Sequence, residues 1–155
     1  MDGDELFRRM RDEVIGRPIS FVRLVCDILL LYVDCDPGDG RGLTFWLNPP
    51  WEVSSPEGVV ADSSQARSED EEGPTEEQLG RVSTPIRGEL LGRPITELQV
   101  DRRTRSMTMN VAGGHVVRVL ASDPEDDHLW HLRENATGLT LYASTRGWII
   151  RDAEE

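Results

Sequence analysis

The sequence predicts an α+β protein, mostly antiparallel β, in which an N-terminal helix precedes two similar β halves. Three observations carry this expectation. A helical period is confined to the first fifteen residues, an alternating period governs most of the remaining chain, and an Ile/Leu-Gly-Arg-Pro-Ile motif occurs twice.

The helix is expected over residues 4 to 15. Leu6, Phe7, Met10 and Val14 share one face, while Arg8, Arg9, Arg11 and Asp12 lie off it. Gly16 stops the helix, with Pro18 just beyond.

Beyond that point the period changes to two. Ile19 to Val25 reads as a strand. Ile28 to Val33, an unbroken Ile-Leu-Leu-Leu-Tyr-Val, reads as a central strand covered on both faces. Asp36-Pro37-Gly38-Asp39-Gly40 is a turn. Leu43, Phe45 and Leu47 then share one face of a strand, and Trp46 falls off it. Trp51-Glu52-Val53 and Gly58-Val59-Val60 are short edge candidates after Pro49-Pro50.

Residues 62 to 80 break the pattern. The stretch from Ser68 to Glu77 contains no apolar residue, so it buries too little to order itself and reads as a mobile acidic linker. The expected organisation is a helix with a first β half over 1–61, a linker over 62–87, and a second β half over 88–155. The halves share one core, since each is small for a core of its own.

The second half restates the first. Ile15-Gly16-Arg17-Pro18-Ile19 returns as Leu91-Gly92-Arg93-Pro94-Ile95, 76 residues later. A strand candidate comes next, then a hairpin of Met107 to Val111 and His115 to Leu120. A three-residue loop, Ala112-Gly113-Gly114, sets Met107, Met109 and Val111 opposite Val119, Val117 and His115. Leu129 to Leu132, Leu139 to Tyr142 and Trp148 to Ile150 complete a meander. We read the repetition as an ancient duplication.

Composition excludes whole classes of chemistry. The net charge is −12, from 29 acids against 17 bases, which opposes a nucleic-acid backbone as partner and favours a basic one. Every base is an arginine. Without lysine there is no Schiff base and no phosphate-loop lysine. Cys26 and Cys35 flank one apolar run and, on a single extended strand, lie about 30 Å apart, far beyond disulfide reach. Two free thiols suggest a reducing, cytoplasmic setting. The acidic start lacks a signal core, and Ile28 to Val33 is too short to span a membrane.

No motif supplies a catalytic or metal-binding set. Asp34 to Gly40 is rich in acids and glycine like a calcium loop, but the third ligand place is Gly38 and the twelfth is Phe45. His128 and His131 stand three apart in a segment that alternates like a strand, which points them to opposite faces and argues against a metal site. His115 sits at a turn end. No nucleophile elbow is present. No catalytic residue, metal or cofactor is therefore expected.

Two acidic clusters are the candidate partner-binding groups. One is Glu69, Asp70, Glu71 and Glu72 in the linker; the other is Asp123, Glu125, Asp126 and Asp127 in the loop before Trp130. Of the four tryptophans, Trp46, Trp130 and Trp148 are read as core. Trp51 is the exception, because the preceding prolines leave its segment irregular and available to a partner.

The run Val22 to Leu31, then Pro50-Trp51-Glu52-Val53, then Gly58-Val59-Val60, resembles small bacterial proteins of two β-rich parts. Val117-Arg118-Val119 and Trp130-His131-Leu132 resemble the pattern of their second part. Such proteins are similar to the immunity proteins of bacterial toxin systems. The resemblance implies a non-enzymatic inhibitor that binds a basic toxin or effector protein. The alternative expectation is a small-molecule or regulatory ligand-binding β domain with its site between the halves.

Overall fold

A computed structural model describes residues 1–68, 70, 72–121, 125 and 127–153. It is an α+β protein, mostly antiparallel β.

Helix α1 spans Gly3–Val14, with the Asp2 carboxylate accepting the Glu5 amide at its start. That cap satisfies one of the donors a helix start leaves open. Its apolar stripe, Leu6, Phe7, Met10 and Val14, is buried. The strands come next: β1 Ile19–Val25, β2 Ile28–Val33, β3 Leu43–Leu47, β4 Trp51–Ser55 and β5 Gly58–Asp62. After a 3-10 turn, Ser63–Ala66, comes α2, Glu76–Leu90, and then β6 Ile95–Val100, β7 Met107–Val111, β8 His115–Val119, β9 Trp130–Glu134, β10 Thr140–Ser144 and β11 Gly147–Arg151.

Helix α2 corrects the expectation of an unstructured linker over 62–87. Its polar sequence hides a stripe of Val82, Ser83, Ile86 and Leu90, all buried, and Thr75 caps it by accepting the Gln78 amide. Only tertiary packing makes so sparse a stripe worth forming, since a short helix is marginal alone. Gln65 and Asp62 form a reciprocal capping box that orders the 3-10 turn ahead of it.

The strands form two antiparallel sheets, ordered β1-β2-β3-β9-β10-β11 and β5-β4-β8-β7-β6. Each sheet takes strands from both halves. The three-strand meander β1-β2-β3 is extended by β9, and the matching meander β6-β7-β8 is extended by β4. The boundaries at 61 and 88 thus separate no sheet from another. Inner side chains of the two sheets form one core with α1 and α2 packed at its sides: α1 on β10 and β11, α2 on β1 and β5. The hairpin β7–β8 has the expected register, with Met107, Met109 and Val111 opposite Val119, Val117 and His115.

The halves meet at the repeated motif in a reciprocal way. Gly16 N–H donates to Ile95 O at 2.7 Å and Gly92 N–H to Ile19 O at 2.8 Å; Ile95 N–H donates to Arg17 O and Ile19 N–H to Arg93 O, both at 3.0 Å. Both glycines hold left-handed φ, 86° and 81°, which explains why the motif needs Gly there. The same bulge comes next in each, between Ile19 and Phe21 in β1 and between Ile95 and Glu97 in β6. Descent of the halves from one duplicated unit is a proposal that this geometry motivates. Among the described residues, no helix is long and apolar enough to cross a membrane.

Candidate functional site

The inner face of the six-stranded sheet belongs to the core, and its outer face carries a second set of side chains. Alternation along each strand decides which side chains stand there. Register then aligns them in a row across all six strands: Arg23, Leu30, Trp46, His131, Tyr142 and Ile149. Among the described residues neither helix and no second sheet lies over this row. Strand β2 is therefore not covered by a layer on both sides, as its unbroken apolar run suggested. Leu30 and Tyr32 are instead shielded by Phe21, Val25, Ile28, Trp46 and Cys35 on the same face.

The middle of the row is an aromatic array. The Trp46 ring stacks on His131 with centroids 5.4 Å apart and a 14° angle between planes. His131 lies 4.8 Å from Tyr142, and His128 lies 5.0 Å from His131 and 5.1 Å from Tyr142. Two hydrogen bonds through Asn48 fix its edge: the Trp46 indole donates to Asn48 Oδ1, and Asn48 Nδ2 donates to His128 O, each at 3.0 Å.

The histidines correct the opposite-face expectation. His128 precedes β9, which begins at Trp130, so strand alternation does not apply to it. The chain turns its ring onto the same face, with His128 Nε2 2.9 Å from His131 Nδ1. One nitrogen donates and the other accepts, which requires at least one neutral ring. Burial lowers the His128 pKa. Burial foremost, then the neighbouring His128 and Arg133 charges, pushes His131 down to about 3. At neutral pH the array is uncharged. It is suited to stacking and apolar contact and poorly suited to accepting a proton. Among the described residues no group of three or more His, Cys, Asp or Glu gathers around a metal-sized space.

The sequence-derived site residues fare unevenly. Trp51 is overturned as a partner contact: it is 2% exposed, and its indole donates to Asp27 O at 2.7 Å. Pro49-Pro50 ends one sheet and delivers Trp51 into the core of the other, which local irregularity concealed. Asp127 stands next to the array, exposed, with Arg146 Nε 3.9 Å from its carboxylate. Glu125 lies in the same connection into β9. Asp70 and Glu72 sit between the 3-10 turn and α2; the Asp70 contacts are local, to Ser68 and Gly73. Glu69, Glu71, Asp123 and Asp126 lie outside the described residues.

Sequence reasoning missed His131 and Tyr142 as a unit with Trp46. The signal was partial: Trp46 sits off the apolar face of β3, but its neighbour on β9 depends on a strand pairing across more than eighty residues. No family model, no curated protein and no solved structure matches this chain.

Proposed function

We propose that this protein is a non-enzymatic binding protein that engages a basic protein partner through the outer face of its six-stranded sheet. The observation that carries the reading is the uncharged Trp46–His131–Tyr142 array, aligned across adjacent strands with no layer over it among the described residues. Aromatic centres ringed by polar groups are how protein interfaces concentrate binding energy. Asp127 and Glu125 lie at the rim, at the entry to β9. The net charge of −12 supports fast capture of a basic partner by long-range attraction. An immunity-type inhibitor of a basic toxin or effector is the specific form that the charge and the sequence resemblance support. The free thiols, Cys26 exposed and Cys35 buried, support a reducing cytoplasm as its setting.

The small-molecule alternative has less in its favour. The cavity beside α2, lined by Val60, Ala61, Gln65, Gln78, Arg81 and Val82, measures about 270 Å³, small for a ligand site. The larger cleft of about 1220 Å³ between α1 and β6 is open and lined mostly by charged and polar groups, unlike the apolar pockets that hold small molecules.

The test is calorimetry with a partner captured from the native cell. Trp46→Ala and Tyr142→Ala should each weaken binding by about 2 kcal/mol, roughly 30-fold. A partner whose affinity ignores both substitutions in a folded protein refutes the assignment of this face.

A further inference from the structure

The two helix-to-edge-strand seams of the sandwich are built from corresponding residues and end up different. At one, α2 closes onto β1: Arg87 Nε donates to Val22 O at 3.1 Å, and its guanidinium lies over the Phe21 ring, 5.8 Å from the centroid. At the other, α1 faces β6. Arg11 stands where Arg87 does, Leu98 where Val22 does, and Glu97 where Phe21 does, each displaced by 76 positions. Without the aromatic ring to lie on, Arg11 rides over Phe7 of its own helix at 5.7 Å. Among the described residues no side chain reaches Leu98 O.

Strand β11 holds this seam open. Among the described residues it has no counterpart beyond β5, and from it Trp148 stacks on Phe7 at 5.3 Å and donates its indole N–H to Asp4 Oδ1 at 2.9 Å. A Cβ on Gly3 would clash with the Trp148 side chain, so the helix start is pressed against that ring. Drawn toward β11, α1 leaves an open groove of about 1220 Å³ between itself and β6.

The groove offers backbone and charge together. Asp101 N–H donates to Ser106 O; by the alternation of an antiparallel ladder, Gln99 and Glu97 turn their peptide groups to β7, and Leu98 and Val100 turn theirs outward. The start of the edge is occupied by the Gly16–Arg17 connection, which bonds Ile95. From Leu98 on, no strand among the described residues pairs with the edge.

Four acids line the groove, and each already serves a donor. Asp2 takes the Glu5 amide, Asp4 the Trp148 indole, Glu97 the Gln99 and Asn110 amides, and Asp101 the Arg103 and Thr104 amides. Arg8, Arg102 and Arg105 also line it and have no ionic partner among the described residues, in a chain where acids outnumber bases by 29 to 17. Arg105 is half-buried: it reaches Ser144 O at 3.4 Å, lies over the Trp148 ring at 5.6 Å, and keeps a buried Nε without an acceptor.

We propose that this groove binds an extended acidic segment of a protein partner, which adds to β6 as a strand and presents carboxylates to Arg8, Arg102 and Arg105. Backbone pairing at a free edge supplies affinity without regard to sequence, and guanidinium groups select carboxylates by a forked pair of hydrogen bonds. The site lies on the five-stranded sheet and does not rest on the aromatic face proposed above.

A random dodecapeptide library displayed on phage, selected against the full chain, tests this. Retained peptides should carry Asp or Glu at alternating positions. One of them, isotope-free against labelled protein, should shift the amide resonances of Leu98, Val100 and α1. Its affinity should fall about tenfold or more in Arg8→Ala/Arg102→Ala, whose exposed side chains leave folding intact. The proposal is overturned if selection retains no peptide, or basic or apolar ones, or if the double variant binds as well. Shifts confined to the six-stranded sheet would also overturn it, as would β6 resonances that move with protein concentration alone, which would mark a second copy of this chain as the occupant.

Discussion

Trp51 and Trp130 occupy corresponding places in opposite sheets. Trp51 pairs with Val119 and Trp130 with Leu47, each at the junction where one half's strand joins the other half's meander. The Trp51 indole donates to Asp27 O at 2.7 Å and the Trp130 indole to Arg105 O at 2.9 Å. Both acceptors lie in the turn that leads from the first to the second strand of a meander, β1–β2 for Asp27 and β6–β7 for Arg105. The two rings therefore lock the exchange of strands between halves, one per sheet.

That relationship predicts comparable losses on truncation. Trp51→Ala and Trp130→Ala should each destabilise the fold by about 3–5 kcal/mol. The corresponding Phe variants keep most of the ring and strand one carbonyl, for a loss of about 1–3 kcal/mol. Urea unfolding followed by circular dichroism measures both. A loss at one site but not at the other would contradict the correspondence.

The repeated glycines carry a second prediction. A Cβ at Gly16 or Gly92 meets no atom within 4 Å, so substitution is opposed only by left-handed φ. Gly16→Ala and Gly92→Ala should each cost about 1–2 kcal/mol, and by similar amounts. Thermal denaturation of the two single variants is sufficient to compare them.

The lowered pKa of His128 adds to an acid sensitivity carried chiefly by His131. The folded pKa of His131 is about 3, against an ordinary 6.5, because burial disfavours the imidazolium and the His128 and Arg133 charges add to that. Below 6.5 the unfolded chain takes up a proton that the folded one refuses, so the contribution is fully present above 6.5 and is lost as pH falls toward 3. The slope is at most about 1.4 kcal/mol per pH unit. Stability of the wild type and of His131→Phe, compared at pH 7.5 and pH 5, isolates it: the variant should lose less on acidification. Equal losses would mean that His131 is protonated in the folded state.

The cysteines should differ in reactivity. Cys26 is exposed, whereas Cys35 is buried, with its thiol pKa raised chiefly by burial. A disulfide-exchange reagent should titrate one thiol promptly in the folded protein and both in denaturant. Prompt reaction of both in the native state would show that the β2–β3 turn opens.

The electrostatic part of the proposed function has its own measurement. Asp127→Asn should slow association with a basic partner at low salt, and added salt should slow the wild type toward the variant. An association rate indifferent to both would leave the aromatic face standing and remove the role of the acidic rim.

Much of this architecture was determined by sequence alone. The period of two placed β1, β2, β3, β7 and β8, the Leu6/Phe7/Met10/Val14 stripe placed α1, and the Ala112-Gly113-Gly114 loop set the β7–β8 register. Those are local properties, because a side chain's face is set by its neighbours one to four positions away. Tertiary structure alone decided the rest. The pairing of β3 with β9 and of β4 with β8 joins segments far apart in the chain, and strand periodicity is indifferent to which partner a strand takes. That pairing turned Trp51 into core and gathered Trp46, His131 and Tyr142 into one row, while the turn of the chain before β9 brought His128 onto the face of His131. Helix α2 was hidden because its formation also depends on tertiary packing: its few apolar residues justify a helix only once β1 and β5 are there to receive them.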